Sequence, residues 1–234
     1  MPIGKLIIVP TPIGNLEDIT LRAIRLLREV DIIAAEDTRS AKFLLEKHGI
    51  FKKTFPYHVK NERRLADRIL ELVENGKTVA VISESGTPGI SDPGWTLIRK
   101  AVENEIPFEV LPGPCAFIPA LLLSGFPVTG FSFEGFLPHS GKGRRRRLRI
   151  LAKDSPHTHV FYESPHRINA FLKDAFNILG DRPVAICREL TKIYEETIRG
   201  MLSDLVNNCP EIRGEVVVLI APYNLIEDKE EECL

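Results

Sequence analysis

Four short apolar runs, Leu6–Val9, Ile32–Ala35, Val79–Ile82 and Phe108–Leu111, constrain the fold most, because segments of helical period separate them. Runs this short and continuous are strands buried by their surroundings, and their alternation with helices is the pattern of a parallel sheet covered by helices. Leu65, Ile69, Leu72 and Val73 fall on one helical face, and Gly76 supplies a stop. Leu111-Pro112-Gly113-Pro114 ends this pattern, since its prolines lack amide donors and push their predecessors towards extended geometry. Residues 1–113 are therefore expected to form a mainly parallel α/β domain.

Strands are expected next at Phe131–Phe136, His159–Tyr162, Pro183–Cys187, Glu196–Gly200 and Val216–Ala221. The later connections are short, so some pairs must be antiparallel and the sheet mixed. Residues 114–222 read as a second α/β domain. Ile168, Phe171, Leu172, Ala175, Phe176 and Leu179 form a helical stripe, with Ser164 as its N-cap and Pro165 at its first position. Ala116–Val128, broken by prolines, Ser124 and Gly125, reads as a buried helix and a turn. Residues 223–234, rich in Asp and Glu, read as a solvated acidic tail.

With 31 Lys and Arg against 32 Asp and Glu, the net charge of -1 provides no global attraction to nucleic acid or an anionic membrane. No apolar stretch reaches the roughly 20 residues needed to span a bilayer, and the start of the chain lacks a secretory apolar region. A cytoplasmic protein is expected. Cysteines at 115, 187, 209 and 233 form no zinc-ligand spacing, so neither structural metal nor a disulfide framework is expected.

Three Gly/Pro-rich loops follow predicted strands: Pro10–Asn15, Ser85–Gly89 and Pro112–Ala116. In an open α/β sheet such loops line one crevice at the carboxyl ends of the strands, where glycine lets a ligand approach the backbone. Taken singly, each is also an ordinary tight connection. None is a dinucleotide fingerprint or a P-loop, and no metalloprotease, nucleophile-elbow or kinase signature is present. A second cluster, Tyr162-Glu163-Ser164-Pro165-His166-Arg167 and Arg188-Glu189-Leu190-Thr191-Lys192, puts polar groups at strand ends, as catalytic groups or as caps with ion pairs. A third, Lys142-Gly143-Arg144-Arg145-Arg146-Arg147-Leu148-Arg149, concentrates six cations in eight residues and suits phosphate, although basic runs are also solvated helix faces. The spacing of Phe131, Phe133 and Phe136 before it fits a strand's buried face better than base stacking.

Val9–Thr20, Ala35–Arg39, Ser85–Gly94, Phe133–Pro138 and Phe161–Arg167 together resemble the ribosomal RNA small subunit methyltransferase I family, of the tetrapyrrole-methylase fold class. Arg188–Lys192 and Arg213-Gly214-Glu215 extend the resemblance, which runs from about residue 5 to 222. It implies two α/β domains with a cofactor cleft between them, a homodimer, S-adenosylmethionine as cofactor, and 2′-O-methylation of a cytidine in the decoding region of 16S ribosomal RNA or the small subunit. Carried over residue by residue, it assigns Pro12, Ile13, Glu84, Gly86, Thr87, Cys115, Ala116 and Tyr162 to the cofactor. Two positions depart from the family pattern: Glu84 stands for an aspartate and Cys115 for a serine, a weaker hydrogen-bonding group.

Methyl transfer from a sulfonium needs the acceptor oxygen held against the methyl group, with a base for its proton. Glu163, His166, Glu189 and Lys192 are the candidate bases, with Glu163 or His166 favoured. Arg167 and Arg188 are the candidate phosphate clamps, and Lys142, Arg144, Arg145, Arg146, Arg147 and Arg149 the candidate RNA contacts. Two alternatives stay open: a small-molecule methylase on the same fold, which gives the arginine run no task, and a non-catalytic RNA-binding protein.

Overall fold

The computed structural model describes residues 4–152 and 156–225. The chain forms two compact units, Met1–Cys115 and Ala116–Leu234. The division falls two residues beyond the sequence-based boundary because Pro114 is still held by the first unit: its carbonyl accepts the Thr87 hydroxyl at 2.9 Å.

The first unit runs β1 (Leu6–Ile8), α1 (Leu21–Glu29), β2 (Ile32–Ala35), α2 (Thr38–Lys47), β3 (Thr54–Pro56), α3 (Glu62–Glu74), β4 (Val79–Ile82), α4 (Trp95–Glu103) and β5 (Phe108–Val110). Its sheet has the order β3-β2-β4-β1-β5, every pair parallel. Alternation along each strand divides the core in two. Ile7, Ile33, Ala80 and Ile82 pack against Ala23, Leu27, Leu44 and Leu45 of α1 and α2. Leu6, Ile8, Val79 and Val81 pack against Leu65, Ile69, Val73 and Leu97 of α3 and α4. Strand β3 escaped the sequence reading because it is an edge strand of three residues, half-buried and ending in proline.

The second unit runs α5 (Phe117–Ser124), β6 (Phe131–Phe136), α6 (Gly141–Leu151), β7 (Thr158–Glu163), α7 (Ile168–Leu179), β8 (Pro183–Arg188), β9 (Glu196–Met201), α8 (Leu202–Asn208) and β10 (Val216–Ile220). Its sheet has the order β6-β7-β10-β8-β9. Strands β6 and β7 are parallel and the remaining pairs antiparallel, as the short later connections require. Phe161, Ile186, Val216 and Val218 face α6, α7 and α8, where Phe171 and Leu172 are fully buried. Each such side chain contributes about 1.5–3 kcal/mol. Helix α5 covers the opposite face.

Three expectations are corrected. Helix α7 does not begin at Ser164; its N-cap is Arg167, because the Ser164 carbonyl accepts the Arg167 amide and closes a separate turn. Helix α5 is only half sunk, with Ile118 and Leu122 exposed, and it passes through Pro119 because a first-turn amide needs no partner. Phe131 and Phe136 are exposed rather than buried, and the pairing of β6 with β7 shifts between Phe133 and Gly135. The acidic residues Glu227, Asp228, Glu230, Glu231 and Glu232 lie outside the described residues.

Candidate active site

Parallel order places β4, β1 and β5 side by side, so the loops at their carboxyl ends meet. The Thr11 amide donates to the Gly86 carbonyl at 2.8 Å and the Gly86 amide donates back to the Thr11 carbonyl at 3.0 Å. Both Thr11 and Ser83 place buried hydroxyls on carbonyls of the same turn. Gly86 has φ +87°, which favours glycine. A side chain at Gly113 would put its Cβ 2.6 Å from the Pro10 ring, so only glycine lets the third loop close on the first. Pro12, Ile13 and Gly86 are buried, Thr87 and Cys115 half-buried, and Glu84 exposed. In the second unit, Ala116 and Tyr162 are half-buried.

A fourth loop joins these three. The Glu84 amide donates to Glu36 at 3.2 Å and the Ser40 hydroxyl donates to the Glu84 carboxylate at 3.1 Å. Asp37 caps α2 between them, and the Arg39 guanidinium together with the Arg39 amide holds its carboxyl down at about 2. Glu62 was also missed by sequence reasoning: one of its oxygens accepts the Gly94 and Thr96 amides, fixing the entry to α4 from α3. Nothing local marks that role, since Glu62 lies 32 residues from Gly94 along the chain. Across Pro10–Asn15, Ser83–Ile90 and Leu111–Cys115 the sequence carries a single ionisable charge at neutral pH, Glu84. The cluster therefore suits a cationic or neutral ligand with an apolar face, not a phosphate.

In the second unit Glu163 is buried, and Arg167 lies against both of its oxygens at 3.1 and 3.2 Å. The Ser164 amide donates to the same carboxylate at 2.8 Å. Arg167 also donates to the Leu137 carbonyl at 3.0 Å and meets the His139 ring at 2.9 Å. Glu163 and Arg167 are thus engaged chiefly with each other and with the Leu137 carbonyl, a structural use of both groups that their placement at a strand end also allowed. Arg188 is likewise paired, with Glu196 at 2.7 Å across β8 and β9. His166, by contrast, is exposed.

Glu189 and Lys192 sit in the turn between β8 and β9, where Glu189 and Thr191 adopt φ of +50° and +65°. One Glu189 oxygen accepts the Glu215 amide at 2.9 Å and the Lys192 ammonium at 3.1 Å, and Lys192 also reaches Glu215 at 3.0 Å. The Glu215 amide, then Lys192, lower the Glu189 pKa below 4.5. Burial opposes the charge on Lys192, but Glu215 and Glu189 together outweigh it and raise its pKa above 10.5. Lys192 is therefore an ammonium at neutral pH, unsuited as a base, and Glu189 is a weakened one. Because the folded pKa of Glu189 lies below its unfolded value, its contribution is present above the ordinary carboxylate range and is lost as pH falls through the folded value. The Lys192 contribution is complete below its unfolded value and disappears as pH rises through the folded one. Thermal melts of the wild type and Glu189→Gln should differ at neutral pH and converge on acidification; a gap independent of pH would refute this account.

The arginine run forms most of α6 and divides into two sets. Arg144 is buried, held on Asp174 of α7 at 2.7 Å, and two nitrogens of Arg147 reach one oxygen of Glu134 at 2.7 and 2.8 Å. Arg144 is thereby committed to the interior and is not open to RNA, contrary to its expected role, whereas Arg147 is anchored on Glu134 with 45% of its side chain still exposed. Lys142, Arg145, Arg146 and Arg149 are exposed as well and lie together. Their spacing of i, i+3, i+4 and i+7 makes one face, opposite the buried Leu148 and Leu151. Arg145 lies 3.6 Å from Asp174, and the other three have no ion pair among the described residues.

A parallel sheet with loops gathered at its strand ends, followed by a mixed-sheet unit, is the architecture of the tetrapyrrole (corrin/porphyrin) methylases, whose family profile matches residues 5–206. The solved methyltransferase CobJ superposes with a TM-score of 0.71 at 21% identity, covering 94% of this chain and 95% of that one. A Thermus thermophilus uroporphyrin-III C-methyl transferase, crystallised with S-adenyl homocysteine, gives 0.67 at 21% identity, covering 93% and 97%. Both likenesses concern the fold. The ribosomal RNA small subunit methyltransferase I of Thermotoga maritima is 46% identical over 220 residues, covering 93% of this chain and 98% of that protein. The chain belongs to the ribosomal RNA small subunit methyltransferase I family.

Proposed function

We propose that the protein is a cytoplasmic, homodimeric methyltransferase that uses S-adenosylmethionine to methylate the 2′-hydroxyl of a cytidine in the decoding region of 16S ribosomal RNA. The observation that carries the RNA part is the exposed cationic face of Lys142, Arg145, Arg146 and Arg149 on α6. Four cations on one helical face suit a polyanion, and a small-molecule methylase gives them no task. Family membership supports the same reading.

The loop cluster fits the cofactor. Pro12, Ile13 and Thr87 offer an apolar and hydroxyl surface, Gly86 and Cys115 backbone groups, and Glu84 a carboxylate beside a positively charged ligand. The cofactor, when bound, supplies an electrophilic methyl group on a sulfonium sulfur. The ribose oxygen gains that methyl and loses its proton, and of the four candidate bases the exposed His166 is the favoured acceptor, Glu163 and Lys192 being held in ion pairs and Glu189 weakened by its own. Holding the two reactants at about 3–3.5 Å provides most of the acceleration.

The test is labelled S-adenosylmethionine with 16S RNA and with 30S subunits, followed by mapping of ribose methylation. One modified cytidine is expected, in a reaction that weakens steeply with salt. Binding of the cofactor without RNA methylation would point to a small-molecule substrate, and absence of both to a non-catalytic RNA-binding protein. Sedimentation of the pure protein reads the homodimer.

A further inference from the structure

The segment Phe133–Pro138 has no task in the reading above, yet two ion pairs are spent on its shape. On a regular strand Phe133 and Phe136 would point to opposite faces of the sheet. In β6 both meet the Tyr162 ring, at centroid distances of 5.0 and 5.6 Å. The cause is the shift in pairing between Phe133 and Gly135, with Gly135 at φ +58°. A bulge of this kind re-aims the side chains beyond it.

The bulge is held from both sides. Glu134, inside it, is nearly buried under the two-pronged contact from Arg147 of α6. Just after it, Arg167 holds the Leu137 carbonyl, and Glu163 holds Arg167. These constraints present a large apolar ring to solvent: Phe136 is 58% exposed. The Tyr162 ring backs Phe136 edge-on and is itself packed against Phe133, which stacks on Phe117 at 4.6 Å.

We propose that Phe136 is the stacking platform for the nucleobase of the nucleotide being methylated, a role that rests on the RNA-methyltransferase reading. Its neighbour Tyr162 is the residue to which the resemblance assigns a cofactor contact. The cationic helix α6 starts five residues after Phe136, at Gly141. A phosphate-binding face close in sequence to an exposed aromatic ring is the combination that binds an unstacked RNA nucleotide, the base on the ring and the backbone on the cations. Phe136 is in this account a substrate-positioning residue. Flat π surface matters here, and hydrophobicity alone does not substitute for it.

The test compares Phe136→Ala, Phe136→Leu and Phe136→Tyr in single-turnover methylation of the RNA substrate, with cofactor affinity measured separately by calorimetry. Loss of one base stack corresponds to roughly a ten- to hundredfold rise in the RNA concentration giving half-maximal rate. That rise is expected for both Ala and Leu, with Tyr close to wild type and cofactor affinity changed less than about twofold in all three. Full activity in Phe136→Leu would overturn the proposal, since packing alone would then suffice. A second readout does not depend on turnover: in Phe136→Trp with Trp95→Phe, the remaining indole should be quenched by a short single-stranded RNA of the target sequence. An indole that stays bright while that RNA binds would overturn the proposal as well. If the wild type methylates no RNA, the underlying reading has failed; if it does and Phe136→Ala is unaffected, only this inference has.

Discussion

Replacing Glu163 by alanine should destabilise the second unit by about 3–5 kcal/mol, because it leaves the Arg167 guanidinium under-compensated in a largely buried site. Glu163 has a side-chain exposure of 0% and Arg167 of 17%, so solvent does little to screen the loss. A catalytic base behaves otherwise: its amide variant keeps stability, loses turnover and removes the acidic limb of the rate profile. Here Glu163→Gln and Arg167→Ala should both lower the melting temperature, and the double variant Glu163→Ala/Arg167→Ala should lose less than the sum of the singles. Strict additivity, or an unchanged melting temperature in Glu163→Gln with abolished turnover, would return Glu163 to the role of base.

The second large effect separates neighbours in one helix. Arg144→Ala removes a buried cation from Asp174, whose side-chain exposure is 13%, and should cost about 3–5 kcal/mol. In a chain of this size that lowers the melting temperature by on the order of 10 °C. Arg146→Ala, two residues away, should change stability by no more than about 0.5 kcal/mol. Binding of RNA reverses the order. The triple variant Lys142→Ala/Arg146→Ala/Arg149→Ala should flatten the dependence of log affinity on log salt by about 2, near 0.7 for each single-strand phosphate that is no longer neutralised. Arg144→Ala, assayed below its melting point, should leave that slope alone. Equal slopes for the triple variant and the wild type would remove α6 from the RNA interface.

These paired outcomes show what the basic run conceals. In the sequence, Arg144 to Arg147 are four identical letters, and all were expected to meet phosphate. Which of them are drawn into ion pairs depends on where Asp174 and Glu134 arrive, 30 and 13 residues away along the chain. The same holds for Glu163 and Arg167, whose placement at a strand end reads equally as catalysis or as an ion pair until Leu137 and Pro138 are seen to need a donor.

The secondary structure was more legible. Helix α7 occupies the expected stripe from Ile168 to Leu179, and β2, β4 and β6 have the expected ends. Apolar periodicity is a local property and survives tertiary packing. What it misses is equally physical: β3 is too short to show a pattern, and the phenylalanines of β6 lose their alternation to a bulge that no spacing announces.

By itself the sequence determined the two α/β units, the parallel and mixed sheets, and the three loops that glycine and proline oblige to turn at the ends of β1, β4 and β5. Those follow from burial, period and backbone freedom, each of which acts over a few residues. Only the tertiary structure decided which charges are spent on holding the molecule together and which remain for a ligand. An ion pair is a relation between distant positions, and its cost or benefit depends on a burial that no stretch of sequence specifies alone.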